Sequence, residues 1–248
     1  MADSILINFG GFVPLSTVDW RGRSVCVVFF RGCPLRCWYC QNTNIQSGTD
    51  LQDCDGILKM IRGAGLLISG VVFSGGEATM QPEALIYLAR KAREMGLATG
   101  LHTNGVYPQT IAALIKEQII DLIALDMKPE WNLNTVRGKE RALVTEVTQS
   151  LDICTQAFGD GTLPGIEVVL TLFPNSSEQI EAIIPQVPPD VDVVLVQGEL
   201  IGVRPLPREE LVKIGDRFGR PVRIRTREEG ETWYEGNRNS RDAGIRER

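Results

Sequence analysis

Cys33, Cys37 and Cys40 stand at C-x3-C-x2-C spacing within R-G-C-P-L-R-C-W-Y-C-Q-N, residues 31–42. Three thiolates this close together can converge on one metal centre, and iron–sulfur clusters are held by cysteine thiolates. A four-iron cubane with three local ligands has one iron without a protein partner, and an open position is what a metal site keeps for a substrate. Zinc is the competing reading of a C-x2-C pair. Its fourth ligand would be His102, the single histidine, or one of Cys26, Cys54 and Cys154. Disulfides fit less well, because Met1–Gly10 shows no signal peptide and cytosolic thiols stay reduced. The six cysteines therefore read as metal chemistry.

These residues need elements to carry them. Short apolar runs at 25–30, 70–74, 98–103, 122–126, 165–171, 191–196 and 222–225 read as strands buried on both faces. Helical patterns near 51–63, 82–95, 108–117, 139–157, 177–184 and 208–218 alternate with them. Several open with Pro or with a Ser/Asn cap, as in P-N-S-S-E before Gln179. Strands and helices alternating at this spacing mean a parallel sheet with right-handed crossovers. Six βα units predict an α/β fold, an incomplete (β/α)6 barrel. Upstream, residues 5–9 read as a short strand broken by Gly10-Gly11 and Pro14.

Barrels of this kind carry their active sites at the C-terminal ends of the strands. The cysteine loop follows the first run. F-S-G-G-E-A (73–78), H-T-N-G (102–105), D-M-K (126–128), T-L-F-P-N (171–175) and Q-G-E (197–199) follow later ones. Gly75 and Gly76 would let a backbone approach a ligand with no Cβ in the way. Glu77 could then accept from an ammonium group, and Lys128 offers a point charge to a carboxylate. Gln197 and Glu199 are candidates to meet a ribose or substrate, and Pro174 with Asn175 to shape a turn on the same rim. Turn preference explains any one of these motifs, but poorly explains all of them together. Arg204, Arg223, Arg225 and Arg227 could guide a partner or substrate, but read first as solvated rim charges. Cys26 reads as a small core residue, and Cys54 and Cys154 as helical cysteines without close cysteine partners.

With Tyr39 in its aromatic slot, C-x3-C-x-aromatic-C resembles the signature of the radical S-adenosylmethionine superfamily. G-F-V-P-L-S-T-V-D-W-R-G-R (11–23) and the Gln41-Asn42 pair resemble glycyl-radical-enzyme activating proteins. The nearest likeness is to anaerobic ribonucleoside-triphosphate reductase activating proteins, over most of residues 10–226. The resemblance implies a [4Fe–4S] cluster on Cys33, Cys37 and Cys40, with S-adenosylmethionine bound beside it. It assigns Gly75, Gly76 and Glu77 to the methionyl amino group. Lys128, in D-M-K where the family has D-L-K, goes to the methionyl carboxylate. Tyr39, Gln41, Thr103, Asn104, Asp126 and Gln197 complete the implied cofactor set. His102 departs from the family, which has Asp before T-N-G at a monovalent-cation site.

The implied activity is reductive cleavage of S-adenosylmethionine to methionine and a 5′-deoxyadenosyl radical that abstracts hydrogen from a substrate. The implied partners are a glycyl-radical protein and a low-potential electron donor such as flavodoxin or ferredoxin. A radical enzyme acting directly on a small molecule, peptide or RNA is an alternative. So is a non-catalytic iron–sulfur or zinc protein, although that reading leaves G-G-E and D-M-K unexplained.

A 43% hydrophobic fraction in 248 residues is ample for one core. Residues 1–227 are expected to form a single domain, with a barrel core at about 24–226. Residues 228–248 read as a charged, mobile tail in which Trp233 and Tyr234 are the sizeable apolar groups. The net charge of −5 argues against a nucleic-acid platform. No apolar run is long enough to span a bilayer, so a cytoplasmic protein is expected.

Overall fold

The structure, a computed structural model, describes residues 4–128, 140–174 and 176–236. Seven parallel strands form the barrel wall: β2 (Val25–Phe30), β4 (Gly70–Gly75), β5 (Ala98–Thr103), β6 (Leu122–Asp126), β7 (Gly165–Leu172), β8 (Asp192–Gln197) and β9 (Val222–Thr226). The connecting helices are α1 (Cys54–Ala64), α2 (Pro82–Glu94), α3 (Pro108–Lys116), α4 (Glu140–Gly159), α5 (Ser177–Ile183) and α6 (Arg208–Asp216). The wall is flanked by β1 (Leu6–Ser16) and β3 (Leu51–Asp53) on one side and β10 (Gly230–Tyr234) on the other. The sheet order is β10-β9-β8-β7-β6-β5-β4-β2-β1-β3, with no pairing between its two ends among the described residues. This is the incomplete (β/α)6 barrel that the alternation predicts.

The helices cover the outer face, where most of the core lies. Strand β7 shows the division of labour. Ile166, Val168, Leu170 and Leu172 are buried in that core, while Glu167, Val169 and Thr171 alternate to the inner face. Pro82 and Pro108 start α2 and α3, where a missing N–H costs nothing. No helix among the described residues is long and apolar enough to cross a membrane.

Four expectations are corrected. Gly10-Gly11 and Pro14 do not end the first strand; β1 runs antiparallel to β2, with register shifts between Phe9 and Gly11 and between Val13 and Ser16. Bulges at a sheet margin accommodate such residues. Residues 51–53 pair with β1 and are not the start of α1, which Asp53 caps by accepting from the Asp55 N–H. Ser176 does not cap α5; its hydroxyl accepts from the Phe173 N–H. The supposed tail begins with a strand, because β10 pairs with β9 along its whole length. Asn175, Lys139 and residues 237–248 lie outside the described residues.

Candidate functional site

The cysteine loop leaves β2 and is pinned on both sides. The Gly32 and Cys33 N–H groups donate to the carbonyls of Ile45 and Gln46, at 2.8 and 3.1 Å. On the other flank, the Gly76 and Glu77 N–H groups donate to Phe30 O and Gly32 O, each at 2.8 Å. This second seam explains the two glycines. A Cβ on Gly76 would stand 2.1 Å from Gly32 O, and one on Gly75 would stand 2.4 Å from the Phe30 N and O. Gly75 also has φ +121°, a region that disfavours side chains. The Gly-Gly pair thus lets two stretches of backbone meet and carries the end of β4 against the cysteine loop.

Glu77 is buried and holds the neighbouring motifs together. One carboxylate oxygen accepts from the Thr79 N–H and hydroxyl and from the Thr103 hydroxyl, the last at 2.7 Å. The other accepts from the Asn104 N–H at 2.8 Å. Burial pushes its carboxyl above the usual range, against the pull of these donors. The room left for an ammonium group is on the second oxygen. Thr103 is equally engaged, since its hydroxyl also accepts from the Gly105 N–H.

Lys128 is buried at the end of the D-M-K segment, with Nζ 2.6 Å from an Asp126 oxygen and 5.3 Å from the Tyr39 ring centroid. Burial alone would lower its pKa, but Asp126, Tyr39 and Cys37 hold it above the usual lysine value. Lys128 is therefore a fixed cation beside the cysteine loop. The other Asp126 oxygen is buried without a partner, which is an unusual state that asks for a ligand or ion. Burial pushes the Cys33 thiol up to about 12, and the nearby charges of Glu77, Cys37 and Cys40 add to this. Cys37 is raised by burial and pulled back by Lys128.

All thirteen residues assigned to cluster or cofactor line one cavity of about 520 Å³, together with His102 and Glu199. Among the described residues, no three His, Cys, Asp or Glu side chains converge as they would on a single ion. Cys33, Cys37 and Cys40, from one loop, all face the same cavity. Cys26, Cys54 and Cys154 are buried in the core, away from this wall.

The radical SAM superfamily model matches residues 27–184, well over half of the chain. The chain belongs to the radical SAM superfamily. Among relatives, it is 29% identical over 238 residues to a Methanocaldococcus jannaschii protein described as a "putative glycyl-radical enzyme activating enzyme", covering 87% of this chain and 95% of that one. It is 37% identical over 108 residues to the pyruvate formate-lyase-activating enzyme of Clostridium pasteurianum, covering 41% of this chain and 44% of that enzyme. The Escherichia coli K12 pyruvate formate-lyase 1-activating enzyme is 31% identical over 134 residues, 50% of this chain and 53% of that enzyme. TYW1 with a lysine–pyruvate adduct bound shares the fold, with TM-score 0.60 and 14% identity over 86% of this chain and 80% of that one. Streptococcus suis SuiB bound to precursor peptide SuiA does so at TM-score 0.56 and 15% identity, over 79% of this chain and 44% of that one. The protein is thus a radical SAM enzyme homologous to glycyl-radical-enzyme activating enzymes, a family that works with a [4Fe–4S] cluster and S-adenosylmethionine.

Not every residue of this radical SAM site is free to touch a ligand. The Gln197 carboxamide donates to Leu206 O at 2.7 Å and accepts from the Arg227 N–H at 3.3 Å, so it clamps the segments after β8 and β9. Gln41 donates to Glu199 O at 2.6 Å and ties the cysteine loop to the turn after β8. His102 makes a 2.9 Å bond with the Asp19 carbonyl. A carbonyl only accepts, so Nε2 carries the proton, and burial lowers the pKa.

The cavity floor went unseen in the sequence. The β1–β2 connection dips inside, and the Trp20 ring lies where it would stand 3.0 Å from a Cβ on Gly100. Arg223 and Arg225 are not rim charges. Arg223 is 3% exposed and bridges Glu167 and Glu231 at 2.8 and 2.9 Å, while Arg225 reaches Glu231 at 2.6 Å. The period-2 position of Glu167 inside the apolar β7 run was the available signal.

Proposed function

We propose that this protein installs a glycyl radical on a larger partner protein, with an anaerobic ribonucleoside-triphosphate reductase or a related glycyl-radical enzyme as the target. The observation that carries this reading is the nearly end-to-end similarity to the Methanocaldococcus jannaschii protein. The donor set fits the implied groups: three thiols on one wall, a fixed cation, and an unpartnered carboxylate oxygen. Cys33, Cys37 and Cys40 would hold the [4Fe–4S] cluster, leaving one iron for the methionyl end of S-adenosylmethionine. When bound, the cluster supplies the electron that cleaves S-adenosylmethionine and so generates the hydrogen-abstracting 5′-deoxyadenosyl radical.

The chain's own residues bind and orient. Lys128 offers its ammonium to the methionyl carboxylate, and the second Glu77 oxygen accepts from the methionyl amino group. Tyr39 packs between Lys128 and the Phe173 ring, whose centroid is 5.0 Å away, and so limits water on the cysteine side. Gln41, Thr103 and Gln197 hold the loops that shape the cavity. Asp126 keeps Lys128 charged and in place. The partner's glycine loop enters at the rim and must come within about 3–3.5 Å of the carbon that takes its hydrogen. Flavodoxin or ferredoxin is the class of electron donor, and the cytoplasm the compartment.

The test is electron paramagnetic resonance on reduced protein, S-adenosylmethionine and a candidate glycyl-radical protein. An α-carbon radical doublet is expected, collapsing when the glycine is deuterated. Cys33→Ala, Cys37→Ala and Cys40→Ala should each abolish cluster and signal, whereas Cys54→Ala and Cys154→Ala should not. If no such partner yields the doublet while a small molecule or RNA stimulates cofactor cleavage, the reading is wrong.

A further inference from the structure

Asn104 lies in the turn after β5, 7% exposed. Its side chain reaches the cysteine loop across the cavity wall, with Nδ2 3.7 Å from Cys33 Sγ. Two bonds decide that orientation. Its backbone N–H donates to Glu77 at 2.8 Å, and its Oδ1 accepts from the Val106 N–H at 3.2 Å. Only the amide oxygen can accept from Val106, so the NH2 end must face the sulfur. The turn is held in turn by the Ser150 hydroxyl, which donates to Gly105 O at 2.6 Å, and by Gly105 at φ +77°.

The turn itself does not need an amide. An Asp side chain makes the same turn through the same oxygen. What Asn adds is the N–H pair, and that pair has the Cys33 sulfur in front of it. Hydrogen bonds to the sulfurs are among the factors that set an iron–sulfur potential. Such a bond strengthens as electron density on the sulfur grows, so it favours the reduced state.

We propose that Asn104 is a positioning residue that donates to the Cys33 thiolate and raises the reduction potential of the cluster held there. This rests on the reading of Cys33 as a cluster ligand. It differs from a role in binding S-adenosylmethionine, which would act on cofactor affinity and not on the potential of the cluster alone.

The experiment uses full-length protein, reconstituted anaerobically without S-adenosylmethionine, as wild type, Asn104→Ala and Asn104→Asp. The cluster midpoint is read by redox titration followed by electron paramagnetic resonance. Asn104→Ala should shift it to more negative potential, and Asn104→Asp further, because it keeps the turn but sets a carboxylate against the sulfur. Affinity for S-adenosylmethionine is measured in parallel by calorimetry on unreduced protein, and a loss of affinity with the midpoint unchanged would assign Asn104 to the cofactor alone and overturn the proposal. A midpoint equal to wild type in both variants, with cluster iron retained, overturns the proposal. So does loss of the cluster from both variants, since a tuning contact is dispensable for assembly. A wild-type protein that holds no cluster instead refutes the site reading on which the proposal stands.

Discussion

Gly76→Ala tests whether the Gly-Gly pair serves backbone packing or ligand access. The backbone of Gly76 is not in the left-handed region, so alanine is conformationally allowed and only the clash counts. The new Cβ would stand 2.1 Å from Gly32 O and 2.7 Å from Gly32 C. Relief requires the two segments to part by about 1 Å, an overpacking cost of about 1–3 kcal/mol. The seam bonds from Gly76 N and Glu77 N, both 2.8 Å, stretch with it and add about 1 kcal/mol. A loss of about 2–4 kcal/mol corresponds to an apparent Tm lowered by roughly 4–16 °C in a chain of this size. The neighbour that moves is Gly32, directly before Cys33, so cluster iron after anaerobic reconstitution should fall below wild type. The assays are matched thermal scans of the apo-protein and iron and sulfide analysis after reconstitution. A variant with unchanged Tm and full iron but weakened S-adenosylmethionine binding would refute the packing argument and restore ligand access as the reason for the glycines.

Three further outcomes are expected. Lys128→Met removes the fixed cation while leaving the cysteines, so cluster content should persist while S-adenosylmethionine affinity falls by the ~1.5–3 kcal/mol of a charge-assisted bond, or roughly ten- to a hundredfold by calorimetry. Because burial lowers the folded-state pKa of His102, the unfolded chain binds the extra proton first, and this contribution to stability is complete above about pH 6.5 and lost as pH falls below it. Denaturant titrations at pH 7.5 and 5.5 should show a smaller acid-side loss for His102→Gln than for wild type, and parallel losses would disprove the assignment. Arg223→Met removes the 2.8 Å partner of the part-buried Glu167 and should cost about 1.5–3 kcal/mol; adding Glu167→Gln should recover part of this by urea unfolding, and a double variant no more stable than the single one counts against the pair.

The rim motifs were readable because each is local. Cys33, Cys37 and Cys40 are held near one another by covalent spacing, and G-G-E, T-N-G and D-M-K each end an apolar run. Parallel strands all point their C-terminal ends the same way, so motifs at those ends must meet on one rim. That is why the assigned residues converge on one cavity, and why the family and fold could be named from the chain. What each residue does there was less legible. Glu77 also holds its own chain through both oxygens, besides the room on its second oxygen, and Gln197 is a clamp. A motif records residue type and place along the strand, while hydrogen-bond partners depend on which loops fold over the same rim.

The sequence by itself determined the alternation of strand and helix, the rim and the grouping of the three cysteines, because hydrophobic period and covalent spacing act over a few residues. Only the tertiary structure decided the floor and the edges of the barrel. Arg223 and Glu167 meet because β8 lies between β7 and β9 in register. Asp19 and Trp20 reach the interior because the β1–β2 connection folds inward, and Glu231 becomes an internal partner because β10 adds to β9. Charges far apart along the chain read as solvated until the sheet register removes the water between them, and that register is a property of the whole barrel.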